Sequence, residues 1–393
     1  MSKMITDIPG VFANGIHCGI KPRKKDLAFI YVPNACASAG VFTQSHFAAS
    51  SVVHTRKAIK NNTLKAILVN SGNANAATGE RGIRDNKAMV GQVAKILGLS
   101  VNEVGVGSTG IIGVPMPMDK VKAGIDELFE DKKAKNGQAV AEAIMTTDAF
   151  MKTVFAERKI GGQTVVVAGM SKGAGMIAPN MATTLTYFVT NLLIDQRTLQ
   201  TILTEVNDDT FNMISVDTDT STNDMVVILA TGEKRFTLTN ALKEEFKELL
   251  FEACLTLAKM LVQDGEGATR VIEMQVNGAT KRSDARRIAK NVIESPLVKT
   301  AIHGSDPNWG RVVMAASKNP DVKLNPEKVD LFFGDYPILK KGQLVPFSRP
   351  DVVEYLKNDL VRITLDLNLG KSNATAWGSD LTKKYIDINT AYN

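Results

Sequence analysis

The chain has 393 residues, of which 44% are hydrophobic and 22% are charged. This balance is typical of a globular protein whose length allows a large core and more than one folding unit, and it excludes a mainly disordered chain. The formal net charge of +6 is small for this length, so it does not indicate a nucleic-acid partner, although it can attract acidic ligands.

The first third of the chain alternates short apolar runs with polar segments. The basic run Lys21–Lys25 contains a proline and no aromatic residue, which predicts a solvated loop. Apolar runs predict buried strands at Leu27–Val32 and Lys65–Asn70, and Ser50–Lys60 is expected to include a short helix. Apolar residues at helical spacing predict a helix over Ile83–Leu97.

The rest of the chain continues this alternation. The predicted strands are Thr164–Ala168, Thr184–Val189, Met225–Ala230, Val329–Phe333 and Val361–Leu367, and the predicted helices are Asp195–Val206 and Asn240–Val262. The last of these has the strongest pattern, because Phe246, Leu250 and Leu257 fall on one apolar face and most charges lie off it. Alternating strands and helices of this kind predict a layered α/β fold.

The cysteines and the N-terminal segment indicate the cellular compartment of the protein. Cys18, Cys36 and Cys254 are widely spaced and form no CxxC pair, and the four histidines are scattered, so no zinc-binding spacing can be assembled. Unpaired thiols indicate a reducing compartment. The N-terminus lacks the apolar core of a secretion signal, and no run approaches the ~18 apolar residues of a membrane span. We therefore expect a cytoplasmic protein that does not enter a membrane.

A glycine-rich segment, Gly105–Gly113, carries four glycines in nine residues. Such a loop lets backbone N–H groups converge on an anion, although a tight turn after a strand produces the same pattern. A nucleotide-binding loop is not favoured, because Pro115 and Pro117 follow where an uninterrupted helix would be needed.

Two further polar segments stand out. Ser71–Gly79 follows a predicted strand and is rich in turn-forming asparagines, which predicts a loop. Asp217–Asp224 packs three carboxylates into eight residues, which taken alone suggests a Ca²⁺ or Mg²⁺ site. The segment lacks the glycine and the terminal glutamate of an EF-hand, so a hydrogen-bonded polar loop is the better interpretation.

The most informative segment is Lys172–Leu185, with the sequence KGAGMIAPNMATTL. A polar, glycine-rich link between two apolar strands can hold a reactive residue in an unusual backbone conformation. Thr183 opens an apolar run, so an ordinary strand threonine is the simpler interpretation. The alternative is a nucleophile, because a threonine that cuts the bond before it gains an α-amino group that can act as base for its own hydroxyl.

This segment resembles the self-cleavage site of the glutamate N-acetyltransferase (ornithine acetyltransferase) family, and several other motifs match in the same order over nearly the whole chain. Thr183 matches the family's nucleophile, and Ala182 matches the residue released as a new C-terminus. The resemblance implies a four-layer α-β-β-α sandwich like that of N-terminal-nucleophile hydrolases. It also implies cleavage into an alpha chain, 1–182, and a beta chain, 183–393, which assemble as α2β2.

The resemblance assigns the remaining site residues. Thr109 and Gly110 match the pair that stabilises the oxyanion. The substrate contacts carry over to Thr147, Lys172, Thr183, Glu266 and Asn389. Asp148 lies beside Thr147, and it could equally be a residue at the end of a helix or in a turn. Glu266 is expected to pair with the ornithine amine and Lys172 with a substrate carboxylate, at opposite ends of one pocket. The motif His303–Arg311 also matches the family, and we interpret it as structural support.

The implied activity is that of an acyltransferase of arginine biosynthesis. The acetyl group of N²-acetylornithine passes to Thr183 and then to glutamate, which gives ornithine and N-acetylglutamate without a cofactor or a metal. Whether acetyl-CoA is a second donor stays open. Two alternatives also stay open: a threonine-nucleophile amidohydrolase or aminopeptidase with water as acceptor, and a metal- or anion-binding protein built on the aspartate run and the glycine loop.

Overall fold

The computed structural model describes residues 3–61, 63–178 and 184–391. Within these ranges the strands are β1 (Phe12–Ile16), β2 (Leu27–Tyr31), β3 (Ala37–Phe42), β4 (Ala66–Asn73), β5 (Val104–Ile111), β6 (Lys152–Ile160), β7 (Gln163–Lys172), β8 (Leu185–Leu192), β9 (Ile214–Ser215), β10 (Met225–Lys234), β11 (Val271–Ala279), β12 (Asp330–Phe333), β13 (Tyr336–Lys340), β14 (Gln343–Leu344), β15 (Leu360–Asp366) and β16 (Ser372–Ser379). The helices are α1 (Ser50–Asn61), α2 (Gly79–Leu97), α3 (Met118–Leu128), α4 (Gly137–Ile144), α5 (Gln196–Asp209), α6 (Asn240–Gln263), α7 (Arg282–Ile293), α8 (Pro296–His303), α9 (Trp309–Ser317), α10 (Arg349–Tyr355) and α11 (Lys383–Thr390).

These elements form two compact units. The first unit takes its described residues from Met1–Gly173, Asn180–Asn212 and Thr220–Ala258, and the second from Ala174–Pro179, Met213–Asp219 and Lys259–Asn393. The units do not coincide with the predicted alpha and beta chains, because the first unit draws on sequence from both sides of position 182.

The first unit contains a four-stranded sheet in the order β1-β2-β4-β5, in which β4 and β5 run parallel and the other neighbours run antiparallel. Side chains of a strand alternate between the two faces of a sheet. Phe29 and Leu68 therefore join a core with Val93 of α2 and Ile125 of α3. Their sequence neighbours, such as Ile30, point to the opposite face and a second core.

The second core lies against a five-stranded sheet in the order β3-β10-β8-β7-β6. Val69 of the first sheet shares this core with Ala168, Tyr187 and Val227 of the second sheet. Helix α5 packs against β3, and its buried residues belong to neither of these two cores. The layers of this unit are therefore helices, sheet, sheet and helix, and the predicted layered α/β fold is confirmed.

The second unit contains a seven-stranded mixed sheet in the order β14-β13-β12-β15-β11-β16-β9. Helix α7 packs against β11 and β16, and α9 packs against α7. Ile288 and Val292 of α7 are fully buried, as are Met274 and Val276 of β11. These residues supply apolar surface on which the unit depends for its stability.

Most of the predicted elements are present, with shifts of a few residues at their ends. The clear difference is the glycine-rich segment Gly105–Gly113, which was expected to be a loop or a turn. Most of it is the strand β5, paired in parallel with β4. The predicted loop Ser71–Gly79 also begins inside a strand, because β4 continues to Asn73.

Close packing explains why glycines occupy a strand here. A Cβ atom on Gly107 would lie 1.9 Å from the hydroxyl oxygen of Tyr187, a side chain that is almost completely buried. Glycine in a strand often marks a close approach of this kind, so this part of the motif reflects packing between the two sheets.

No helix in the described part of the chain combines the length and the apolar character needed to cross a membrane.

We expect Gly107→Ala to destabilise the protein by about 1–3 kcal/mol, because the methyl group must displace a buried tyrosine in a packed core. Urea or thermal unfolding measures the change. Gly91→Ala is the control, because no atom lies within 4 Å of the added Cβ in helix α2. That variant should gain roughly 0.5–1 kcal/mol from helix propensity. Equal effects of the two substitutions would contradict the packing argument.

Candidate active site

The end of strand β5 presents Thr109 and Gly110, the predicted oxyanion pair. Gly110 is opposite Gly72 of β4, with a φ of 133°. A Cβ on Gly110 would lie 2.2 Å from the carbonyl carbon of Gly72. Both the positive φ and this contact exclude other residues at position 110, so the two strands come close together beside the hydroxyl of Thr109.

Lys172 lies at the end of β7 and reaches Thr109. Its Nζ atom donates a hydrogen bond to Oγ1 of Thr109 at 3.1 Å. A hydroxyl that accepts a hydrogen bond keeps its own proton for another acceptor. The ammonium group therefore orients the Thr109 hydroxyl as a donor and adds positive charge beside it. Two residues that the sequence placed in different motifs meet here.

Asp148 connects this cluster to the protein interior. One carboxylate oxygen accepts hydrogen bonds from Nζ of Lys152 and from the backbone N–H of Gly173, both at 2.7 Å. The other oxygen accepts a hydrogen bond from the backbone N–H of Thr146 at 2.8 Å. The side chains of Asp148 and Lys152 are completely buried. Asp148 thus fixes both Gly173, next to Lys172, and the segment that carries Thr147.

The ionisation of Asp148 follows from these contacts. Burial of the carboxyl opposes ionisation, but the Lys172 and Lys152 ammonium groups and the N–H of Gly173 outweigh it and lower the pKa of Asp148 to about 2. The carboxylate is therefore charged at neutral pH. Sequence reasoning quoted this residue but gave it no more than a helix-end or turn role, because its contact with Gly173 joins residues that are distant in the chain.

Lys21 is also close to this cluster. The basic run Lys21–Lys25 was predicted to be a solvated loop, but Lys21 is half-buried, and its Nζ donates to the carbonyl oxygen of Met145 at 3.1 Å. Burial, together with Lys24 and Lys172, lowers the pKa of Lys21 to about 8, although Asp26 acts in the opposite direction. The prediction was wrong for this residue because local sequence does not show which end of a loop folds inward.

Ala182 and Thr183, the predicted cleavage site and nucleophile, lie outside the described residues. The strands that flank them, β7 and β8, pair antiparallel with Lys172 opposite Leu185. Thr184 is buried, and its hydroxyl lies within hydrogen-bond distance of the hydroxyls of Ser171 and Thr186. The chain thus returns beside Lys172 immediately after the predicted nucleophile.

In the second unit, the predicted substrate residues Glu266 and Asn389 are in direct contact. Nδ2 of Asn389, on α11, donates to a carboxylate oxygen of Glu266 at 2.9 Å. The backbone N–H of Glu266 donates to the carbonyl oxygen of Ala174 at 2.8 Å. Gly175 has no room for a side chain, since an added Cβ would lie 2.5 Å from the carboxyl group of Glu266.

The aspartate run contributes Asp217 to the same unit. Its carboxylate accepts the backbone N–H groups of Met176 at 2.6 Å and Ile177 at 2.8 Å. Burial raises the pKa of Asp217, although these donors oppose the shift. Burial and the carboxylates of Asp217 and Glu266 raise the pKa of Tyr385 to about 12. Asp217 therefore serves a hydrogen-bonded turn, as the polar-loop interpretation predicted.

Metal binding has no support in this part of the molecule. Over residues 3–61, 63–178 and 184–391, no group of three or more His, Cys, Asp or Glu side chains is arranged to hold a metal ion. His303, in the family motif His303–Arg311, contacts the buried carboxylate of Asp380 at 3.1 Å, which fits a structural role.

Comparison with known proteins agrees with these features. The model of the ArgJ family matches residues 12–393. The arginine biosynthesis bifunctional protein ArgJ of Bacillus licheniformis is 43% identical over 387 residues, which cover 98% of this chain and 95% of that protein. The protein of the same name from Symbiobacterium thermophilum is 44% identical over 394 residues, covering 99% and 98% of the two chains.

A solved structure is similar as well. The crystal structure of the arginine biosynthesis bifunctional protein ArgJ from Bacillus halodurans is 40% identical, with a TM-score of 0.50. The match covers 52% of this chain and 98% of that chain. The layered α/β fold, the site motifs and these comparisons define an acyltransferase enzyme. The chain belongs to the ArgJ family.

We expect Asp148→Asn to lower the free energy of unfolding at pH 7 by about 3–5 kcal/mol, because it removes a buried carboxylate that pairs with the buried ammonium of Lys152. A carboxyl group whose folded-state pKa is depressed stabilises the protein above its unfolded pKa, and this stabilisation is lost as pH falls through the folded value. The difference between the two proteins should therefore shrink between about pH 4 and pH 2. Urea unfolding over this range measures it.

Two controls accompany this experiment. Lys152→Met in the Asp148→Asn background should recover part of the loss, because it removes the buried ammonium group that Asp148 compensates. Glu354→Gln removes one partner of an exposed pair with Lys357, and its effect should stay within about 1 kcal/mol. A loss at Asp148 as small as that at Glu354 would show that the buried carboxylate does not stabilise the fold.

Proposed function

We propose that this enzyme cleaves itself before Thr183 and then transfers the acetyl group of N²-acetylornithine to glutamate. The observation that supports the proposal most directly is the hydrogen bond from Lys172 to the hydroxyl of Thr109, which prepares a polarised donor at the end of β5. Transfer of an acyl group needs such a donor, because negative charge develops on the carbonyl oxygen in the transition state.

In the first half-reaction, the hydroxyl oxygen of Thr183 attacks the acetyl carbon of N²-acetylornithine. The α-amino group that cleavage releases on Thr183 takes the hydroxyl proton. The amide C–N bond breaks, the departing ornithine nitrogen receives that proton, and the acetyl group remains as an ester on Thr183.

In the second half-reaction, the amino group of glutamate attacks the ester carbon. The ester C–O bond breaks, the proton lost by the amine returns to the oxygen of Thr183, and N-acetylglutamate leaves. In both halves the Thr109 hydroxyl and the N–H of Gly110 are the proposed oxyanion donors. Losing one such donor typically costs about 100- to 1,000-fold in rate.

Substrate recognition is proposed to rest on charge. Glu266, held by Asn389, is a carboxylate suited to the side-chain amine of ornithine. Lys172 is suited to a substrate carboxylate, and Thr147 is a further contact. Each assignment follows the family resemblance at that position, and the contacts described above hold Lys172, Glu266 and Asn389 within their own units.

Cleavage is proposed to give the alpha chain 1–182 and the beta chain 183–393. The direct pairing of β7 with β8 supports their continued association, because backbone hydrogen bonds join strands from both sides of the cut. We propose assembly as α2β2 in the cytoplasm, and the three free cysteines among the described residues suit a reducing compartment. Neither a nucleic acid nor a membrane is part of the proposal.

A second activity is part of the proposal, the transfer of acetyl from acetyl-CoA to glutamate. The relatives are named bifunctional, which agrees with two donors for one acceptor. An assay with acetyl-CoA as the donor tests it.

Denaturing electrophoresis and mass spectrometry should show two chains that end and begin at Ala182 and Thr183, with ornithine and N-acetylglutamate formed in equal amounts. Thr183→Ala should remain a single chain without activity, because it lacks both the cleaving hydroxyl and the acetyl acceptor. Cleavage of that variant at the same bond would refute the nucleophile assignment. Ornithine released without N-acetylglutamate would instead indicate an amidohydrolase.

Glu266→Gln preserves the size of the side chain and removes its charge. We expect the KM of acetylornithine to rise more than the KM of glutamate, because only the donor has a side-chain amine. The rise should correspond to a loss of binding free energy within the roughly 2–5 kcal/mol expected for a disrupted buried charge pair. Initial rates over both substrate concentrations separate the two constants. An equal rise in both KM values would show that another group recognises the amine.

A further inference from the structure

We propose that Lys21 is a second substrate-binding cation, which takes the side-chain carboxylate of the acceptor glutamate and so selects glutamate over amino acids that lack this carboxylate. The inference rests on the proposed transfer from acetylornithine to glutamate and assigns a residue to the specificity of its second half-reaction.

The loop that carries Lys21 is fixed. The carboxylate of Asp26 is buried and accepts the backbone N–H groups of Lys21 at 2.8 Å, Cys18 at 2.7 Å and Gly19 at 3.2 Å. Three donors on one buried carboxylate hold the loop in one conformation. The position of the Lys21 side chain is therefore set by the fold.

The stem of Lys21 lies over the backbone next to the oxyanion pair. A Cβ on Gly72 would lie 2.8 Å from Cγ of Lys21, so the missing side chain at Gly72 makes room for the lysine. Gly72 is opposite Gly110 in the pairing of β4 with β5. The lysine thus passes the strand end at which Thr109 and Gly110 are presented.

The ammonium group of Lys21 points to the segment that carries Thr147. It donates to the carbonyl oxygen of Met145 at 3.1 Å, two residues before Thr147. One neutral carbonyl satisfies one of the three donors of an ammonium group. The head group lies near the charges of Asp148 and Lys172, which both affect its ionisation.

Positive charge is in excess around this head group. The ammonium groups of Lys24 and Lys172, which both affect the ionisation of Lys21, give three cations with Lys21 itself, against the two carboxylates of Asp26 and Asp148. Both carboxylates are occupied, Asp26 by loop N–H groups and Asp148 by Lys152 and Gly173. Like charges held close together repel each other, so binding of a second substrate carboxylate would relieve this repulsion.

The two proposed substrates differ in the number of carboxylates that a second cation could bind. Glutamate carries two carboxylates, whereas acetylornithine carries one carboxylate and a side-chain amine. If Lys172 takes the carboxylate that both have, a second cation distinguishes them by attracting the extra carboxylate and repelling the amine. The lowered pKa of Lys21 agrees with a lysine held in a partly desolvated, positively charged position.

The test uses the purified two-chain enzyme with Lys21→Met, Lys21→Arg and Arg23→Met. Initial rates are measured with glutamate and with glutamine, which is similar in shape but has a neutral side chain. Lys21→Met should raise the KM of glutamate about tenfold, the factor of a single modest charge contact. It should leave the KM of acetylornithine within about twofold and reduce the preference for glutamate over glutamine.

The other variants separate charge from structure. Lys21→Arg retains a cation and should keep most of the preference. Arg23→Met, in the exposed part of the same loop, removes a charge that does not act on Lys21 and should behave as wild type. An unchanged glutamate preference in Lys21→Met, with or without a lower melting temperature, would overturn the inference and leave Lys21 as a helix-end contact. A wild-type enzyme that makes no N-acetylglutamate would instead refute the proposed function itself, and the inference with it.

Discussion

The first unit depends on the buried carboxylate of Asp148 to hold the residues proposed for the active site. It is ionised in the interior because Lys152 and the backbone of Gly173 compensate its charge. Removing a carboxylate of this kind leaves a buried ammonium, which costs far more than the loss of a surface pair. Through Gly173 it fixes the end of β7 and therefore Lys172, and through Thr146 it fixes the segment that contains Thr147. Its negative charge also offsets part of the positive charge of Lys152 and Lys172.

The strand β5 gives the site its second fixed component. Its glycines allow the sheets and the neighbouring strand to approach closely, as the contacts of Gly107 with Tyr187 and of Gly110 with Gly72 show. A loop at this position would present Thr109 with less precision, since functional groups on regular elements are held more rigidly than those on loops. The dense packing of the core and the position of Thr109 thus share one cause.

The proposed chemistry uses these components in sequence. A donor pair at the end of β5 can stabilise the oxyanion in both half-reactions, and ammonium and carboxylate groups can distinguish two amino acids of similar size. The contact between Glu266 and Asn389 lies in the second unit, and Thr109, Lys172 and Lys21 lie in the first. Self-cleavage is compatible with a stable fold, because the strands on both sides of the proposed cut are neighbours in one sheet.

The sequence alone determined the layered α/β class, the long apolar helix α6, most of the strands and the family, because apolar periodicity and extended motifs are local properties of a chain. The family resemblance also predicted roles for individual residues, such as the role of an oxyanion pair for Thr109 and Gly110. Only the tertiary structure decided that Gly105–Ile111 is mainly strand, that Lys21 folds inward and that Asp148 is a buried charge centre. Each of these depends on partners far away in sequence, namely Tyr187 for Gly107, Met145 for Lys21 and Gly173 for Asp148, and local pattern carries no information about such contacts.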